Sequence, residues 1–190
     1  MDLREARLVA LEVIEVLAPA CDRVEIAGSV RRGKAEPKDV EIVYIPRMVE
    51  ERVNLFDVAE VPATEGVIAE LVREGWWEFD AKVRRNGPRY KRMVRRGVVV
   101  ELFRAERGNW GYLFALRTGP GDFNRMWATH GWGGGTLPVE VRLKDGWVWA
   151  GGERVVVETE EAFFDMVGIP WWEPGERSGA RLGRWKLGFE

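Results

Sequence analysis

Asp39 and Glu41 stand two positions apart in the run KDVEIVY, a spacing that matters only if the run is a strand. Side chains at i and i+2 of a strand share one face, so the two carboxylates would converge while Val40 and Ile42 point into a core. Two carboxylates on one face repel each other unless a cation sits between them. Hard divalent ions with oxygen ligands, Mg²⁺ above all, suit such a pair. Just upstream, an apolar strand containing Val24 and Ile26 runs into Gly28-Ser29. These two offer backbone N–H groups and a hydroxyl, with Arg31, Arg32 and Lys34 close by in sequence, which is the chemistry of an anion cradle. A metal site and an anion cradle together suggest phosphoryl or nucleotidyl transfer. The plainer alternative is an ordinary turn beside a solvated acidic strand face.

The elements that must position these residues are legible in the apolar pattern. Leu3, Ala6, Val9, Val13 and Leu17 have helical spacing, and Pro19 ends that helix. Thr64 is placed to cap a second helix carrying Val67, Ile68, Leu71 and Val72 on one face, closed by Gly75. From Trp76 to Phe103 the pattern becomes that of strands: Trp77, Phe79, Ala81 and Val83 alternate with charged residues. Asn86-Gly87-Pro88 reads as a turn, and a basic strand follows to Arg95. VVVELF is then a buried strand interrupted by one acid, Glu101. A carboxylate there needs a partner, either a neighbouring Arg or a metal ion. Further on, Asn109 is placed to cap the helix WGYLFAL, and Pro120 begins the helix GDFNRMWATH, stopped at Gly131. Two short strands, VEVRL and ERVVVE, flank Asp145-Gly146, and Thr159 caps a last helix ending at Gly168.

With 46% hydrophobic and 32% charged residues in 190, the chain can bury a real core and is not disordered. Neither a leader peptide nor an apolar run of membrane-spanning length is visible, so a soluble, cytoplasmic protein without a membrane partner is expected. A single cysteine, Cys21, and a single histidine, His130, leave no internal disulfide, multi-cysteine zinc site or His-based triad. The net charge of −2 is unusual for a nucleic-acid binder, but its distribution is uneven. KVRRNGPRYKRMVRR carries Arg84, Arg85, Arg89, Lys91, Arg92 and Arg95 without one acid, so a phosphate backbone could be held there, with strong salt dependence. Of the ten tryptophans, most should be core.

The Gly-Ser followed by a strand with two acids resembles the signature of the DNA polymerase beta nucleotidyltransferase superfamily. The RRG after Gly-Ser is similar to family X DNA polymerases in particular. Three further stretches resemble the same family: TGPGDFNRMW, the Gly-Ile-Pro of the last helix exit, and its Pro-x-Glu-Arg end. The resemblance implies an α+β fold, with a nucleotidyltransferase palm of mixed β-sheet and flanking helices over 1–105. A small α+β C-terminal subdomain over 106–190 would contact the incoming nucleotide and DNA. It implies that Asp39, Glu41 and Glu101 hold two Mg²⁺ ions, with Mn²⁺ as a possible substitute. Gly28, Ser29 and Arg32 would meet the phosphates, Thr118-Gly119 would lie beside the sugar, and Asn124 would reach the base edge. The partners implied are gapped or primer-template DNA and deoxynucleoside triphosphates, handled by a monomer in short-gap repair synthesis. The family's amino-terminal lyase domain and helix-hairpin-helix DNA grip have no counterpart here, so no lyase activity is expected.

Four departures stand out. Glu41 and Glu101 occupy positions where the family usually has Asp, and Leu116-Arg117 stands where aromatic residues often precede Thr-Gly. Lys38 replaces a small residue, and Val99 lies where an Arg often supports the carboxylates. Two other functions stay open: nucleotidyl transfer to an RNA end, a protein or a small molecule, and a DNA-binding module in which the Glu substitutions have ended catalysis.

Overall fold

The computed structural model describes residues 1–52, 57–80 and 86–189. In chain order its helices and strands are α1 (Leu3–Leu17), β1 (Cys21–Ile26), α2 (Gly28–Arg31), β2 (Val40–Pro46), β3 (Met48–Arg52) and β4 (Val58–Pro62). Next come α3 (Ala63–Arg73), β5 (Glu78–Phe79), β6 (Tyr90–Arg95), β7 (Val98–Arg104), α4 (Trp110–Thr118) and α5 (Gly121–Ala128). The chain finishes with β8 (Val141–Lys144), β9 (Trp147–Ala150), β10 (Glu153–Val155), α6 (Glu160–Met166) and α7 (Gly179–Lys186). This is the expected α+β class. Two compact units result: 1–26 with 35–105, and 27–34 with 106–190. The Gly-Ser segment therefore groups with the C-terminal residues and not with the strands that flank it.

The first unit is built on a five-stranded mixed sheet in the order β1-β2-β7-β6-β5. Only β2 and β7 run parallel among its pairs, with Val40 opposite Val100 and Ile42 opposite Leu102. Val40, Ile42, Tyr44, Val100, Leu102 and Met93 are almost completely buried on one face. Helix α1 lies against β1, β2 and β7. Its Ala6, Val9, Ala10, Val13 and Leu17, spaced three and four apart, are the residues it buries. Asp2 starts the helix by accepting from the Glu5 N–H at 2.8 Å. At the β6–β7 hairpin, Arg96 and Gly97 both have positive φ, 51° and 77°, as a two-residue turn matching the strand twist requires. Helix α3 begins one residue before Thr64, after Pro62, and Thr64 is buried inside its first turn instead of capping it. Ala81 and Val83, expected to prolong β5, fall outside the described residues.

The second unit buries Tyr112, Phe123, Trp127, Phe163, Phe164, Val167 and Leu182 between α4, α5, α6, α7 and a three-stranded meander, β8-β9-β10. Its rings meet edge to face: Trp127 and Phe163 lie 5.0 Å apart at 80°. Helix α4 approaches the start of α6 so closely that a Cβ at Gly111 would sit 1.9 Å from the Thr159 carbonyl oxygen. Thr159 caps α6, accepting from the Ala162 N–H at 3.1 Å. Asn109 stands before α4 as expected, but its side-chain oxygen accepts from the Glu106 N–H at 2.7 Å and closes the preceding 3₁₀ turn. The meander contains a strand the sequence reading lacked, β9, entered through Asp145-Gly146 and left through Gly151-Gly152, all four at positive φ. Helix α7, capped by the Ser178 hydroxyl, was equally unexpected; a short segment with three charged side chains and little apolar content carries a weak periodic signal.

Candidate active site

Parallel pairing of β2 with β7 sets Glu41 in register with Glu101. Since Val40, Ile42, Val100 and Leu102 fill the core, Glu41 and Glu101 share the opposite face of the sheet. Asp39 comes immediately before β2, two residues from Glu41 and on the same side by strand alternation. All three residues are half-buried. The row continues across the sheet. Arg92 of β6 is in register with Glu101, and its Nη1 donates to Glu101 Oε1 at 2.8 Å. Arg92 Nε donates to Asp80 Oδ2 at 2.7 Å. The Tyr90 hydroxyl, two residues along β6, donates to the same Glu101 oxygen at 2.6 Å. The bond to Asp80, reinforced by Tyr90 and Glu101, holds the Arg92 guanidinium firmly protonated against the opposing cost of burial. Burial and then the Glu101 bond push the Tyr90 phenol upward, so it remains a donor.

Of the two partners considered for Glu101, an arginine is in place, and a second carboxylate, Glu41, lies alongside in register. Among the described residues no three His, Cys, Asp or Glu side chains gather closely enough to hold an ion as they stand. The donor set nevertheless fits a hard divalent cation, being all carboxylate oxygen on one half-buried sheet face.

The residues expected to hold DNA separate on inspection. Arg84 and Arg85 lie outside the described residues, and Arg89 is exposed. Lys91 alternates with Arg92 and so points to the core side, where it is 7% exposed. Its ammonium meets Glu65 of α3 at 3.0 Å. Arg95 lies over the Trp76 ring at 3.9 Å and 3.4 Å from Glu12 of α1. Lys91, Arg92 and Arg95 therefore have acidic partners within the fold.

In the second unit the chain turns at Gly28, φ 62°, into the single turn of α2. Ser29 is half-buried, and its hydroxyl oxygen has no hydrogen-bond partner among the described residues. Arg32 Nη1 donates to the Thr118 carbonyl at 2.5 Å. Arg31 donates to the Thr118 hydroxyl at 2.7 Å and, through both terminal nitrogens, to the two Glu160 oxygens at 2.9 Å. Arg177, buried under Phe164, donates to Glu160 Oε1 at 2.6 Å. Burial alone would raise the Glu160 carboxyl, but Arg177 and Arg31 outweigh it and hold the group below its usual range. Asn124 closes the neighbouring turn: its amide donates to the carbonyls of Leu116 at 2.7 Å and Gly119 at 3.0 Å. Its oxygen accepts from Trp127 Nε1 at 3.1 Å. A Cβ at Gly119 would lie 2.0 Å from that oxygen. Arg32, Thr118, Gly119 and Asn124 are thus brought together, with the Asn124 amide engaged in the turn itself.

No family model matches the chain, and no curated protein matches it in sequence. Solved structures do match. Polymerase beta of Leishmania infantum, in a ternary P/T complex, superposes with a TM-score of 0.67 over 94% of this chain and 76% of its own, at 17% identity. The fold is that of polymerase beta. Within this polymerase beta-like fold, sequence reasoning overlooked Arg31 and Glu160 as a pair and Tyr90 and Asp80 as partners of the acidic row. Glu160 belongs to a segment that appeared chemically silent; its position one residue after a helix cap gave no sign of a counter-ion buried 4% exposed. Arg92 was visible only as one of many cations, because register cannot be read from a single strand.

Proposed function

We propose that this chain is a template-directed DNA polymerase of family X type, working by nucleotidyl transfer. The observation that carries this reading is the in-register pair Glu41 and Glu101 on one face of a polymerase beta-like sheet, with Asp39 two residues upstream. Asp39, Glu41 and Glu101 hold two Mg²⁺ ions, for which Mn²⁺ can substitute. Bound there, such ions would neutralise charge on the transferring phosphoryl group and lower the pKa of the attacking hydroxyl. The chain's own residues do the rest. Gly28 lets the backbone approach phosphate, and the Ser29 hydroxyl, without a hydrogen-bond partner among the described residues, donates to a phosphate oxygen. Arg32 adds positive charge where the departing pyrophosphate develops its own. Thr118-Gly119 borders the sugar, with Asn124 and Arg31 holding that turn in shape. Arg89, with Arg84 and Arg85, follows the DNA backbone without reading sequence. The same reading includes short-gap repair synthesis by a monomer.

The experiment is extension of a labelled primer on gapped and open templates, offering each nucleotide separately with Mg²⁺ and then Mn²⁺. Incorporation of only the complementary deoxynucleotide is expected. A second reading, transfer to an acceptor other than a templated primer, draws support from the engagement of Lys91, Arg92 and Arg95 with acids. Addition regardless of template, or to RNA or protein alone, would favour it. Binding of DNA with no incorporation under either ion would point to a module that has lost catalysis.

A further inference from the structure

We infer that Tyr90 and Arg92 are positioning residues for Glu101, with Asp80 the anchor from which Arg92 acts. The inference rests on the metal-holding reading of Asp39, Glu41 and Glu101. A glutamate has one more rotatable bond than an aspartate, so its carboxylate sweeps a wider arc and needs orienting before it can serve as a ligand. Strand β7 cannot orient it: the residues on the same face two positions either side are Val99 and Phe103, both apolar. Neither can β2, whose in-register residue is another acid, Glu41. Among the described residues two donors reach Glu101, both from β6. Arg92 lies directly opposite and Tyr90 on the diagonal, and both donate to Oε1. That leaves Oε2 as the oxygen for a cation.

Both donors are themselves fixed. The Tyr90 ring rests on Phe103, centroids 5.2 Å apart, and the Arg92 guanidinium is gripped at Nε by Asp80. Sharing Arg92 between two carboxylates also keeps its charge from acting on a nearby metal ion as an isolated cation would. Thus the row Glu41, Glu101, Arg92, Asp80 is a ligand pair followed by a brace.

The test is Mn²⁺ binding by the full chain, followed by electron paramagnetic resonance of the free ion, with circular dichroism to verify folding. Wild type, Asp39→Asn, Glu101→Gln, Tyr90→Phe and Arg92→Lys are compared. Tyr90→Phe removes one hydroxyl and keeps the ring, so it should fold, and it should weaken Mn²⁺ binding by roughly tenfold. Arg92→Lys, whose single ammonium lacks the planar fork that reaches Asp80 through Nε and Glu101 through Nη1, should do the same. In the Glu101→Gln background Tyr90→Phe should add little further loss, which a merely stabilising contact would not produce. Unchanged Mn²⁺ affinity in folded Tyr90→Phe and Arg92→Lys, with Asp39→Asn still impaired, would overturn the positioning role and leave the metal reading standing. Tighter binding in Arg92→Lys would make Arg92 a competitor of the ion and equally overturn it. Wild type that binds no Mn²⁺, or binds it as well after Asp39→Asn, would remove the metal reading itself.

Discussion

At the residue scale, the two acids that matter most behave in opposite ways. Asp39 is half-buried at the start of β2, and its replacement should cost chemistry without fold. Asp39→Ala is expected to abolish primer extension while leaving the far-ultraviolet circular dichroism and melting temperature near wild type; extension at the wild-type rate would refute the site. Glu160 is the reverse case, a carboxylate sealed between two arginines. Leaving Arg31 and Arg177 without their counter-ion should cost about 3–5 kcal/mol, so Glu160→Gln should melt well below wild type at neutral pH. Because the folded carboxyl is held below its unfolded value, this stabilisation is complete above the usual carboxylate range and is lost as pH falls through the depressed folded value. The difference between the two proteins should therefore shrink on acidification below about pH 4, as melting curves at several pH values can check. Cys21 supplies a quieter check. Burial, with some help from Asp22, pushes its thiol to about 11, so alkylation at pH 8 should be roughly a hundredfold slower than for a free cysteine.

At the element scale, close backbone approach replaces side-chain chemistry as the deciding feature. The α4–α6 contact exists because Gly111 has no Cβ where the Thr159 carbonyl would meet one. The same glycine donates its N–H to the Val157 carbonyl at 2.9 Å, tying α4 to the segment leading into α6. Gly111→Ala should destabilise the second unit by about 1–3 kcal/mol, as overpacking in a tight core does, despite alanine being the better helix former. A chemical denaturation midpoint equal to wild type would show that the two helices can separate without loss. Register is the other element-scale fact. Had β7 slipped by one residue against β2, Glu101 would face the core and Val100 would stand beside Glu41.

For the whole molecule, net charge is a poor guide to how DNA would be held. Within β6 the basic residues are divided by strand alternation, so that Lys91 serves α3 and Arg92 serves the acidic row. Measured as the slope of log K against log salt, DNA binding should therefore lose about 0.9 on Arg89→Ala, and be unmoved by Lys91→Met, which should lower the melting temperature instead. Equal losses of slope for both would mean that Lys91 leaves Glu65 to contact phosphate. No described helix is long and apolar enough to cross a membrane.

The sequence by itself determined what local chemistry can encode. Helix α1 and its buried face follow from a period of 3.6, and Asp145-Gly146 from the demand for positive φ. The shared face of Asp39 and Glu41 follows from a period of two. It also placed Glu101 in a buried strand that needed a partner. Only the tertiary structure decided which partner, because pairing between distant strands depends on register, and register is settled by the sum of core contacts over the whole sheet. The same holds for the bond of Arg31 to Glu160: residues 129 positions apart, on α2 and at the start of α6, meet because both helices pack against α4. No periodicity within either segment contains that distance.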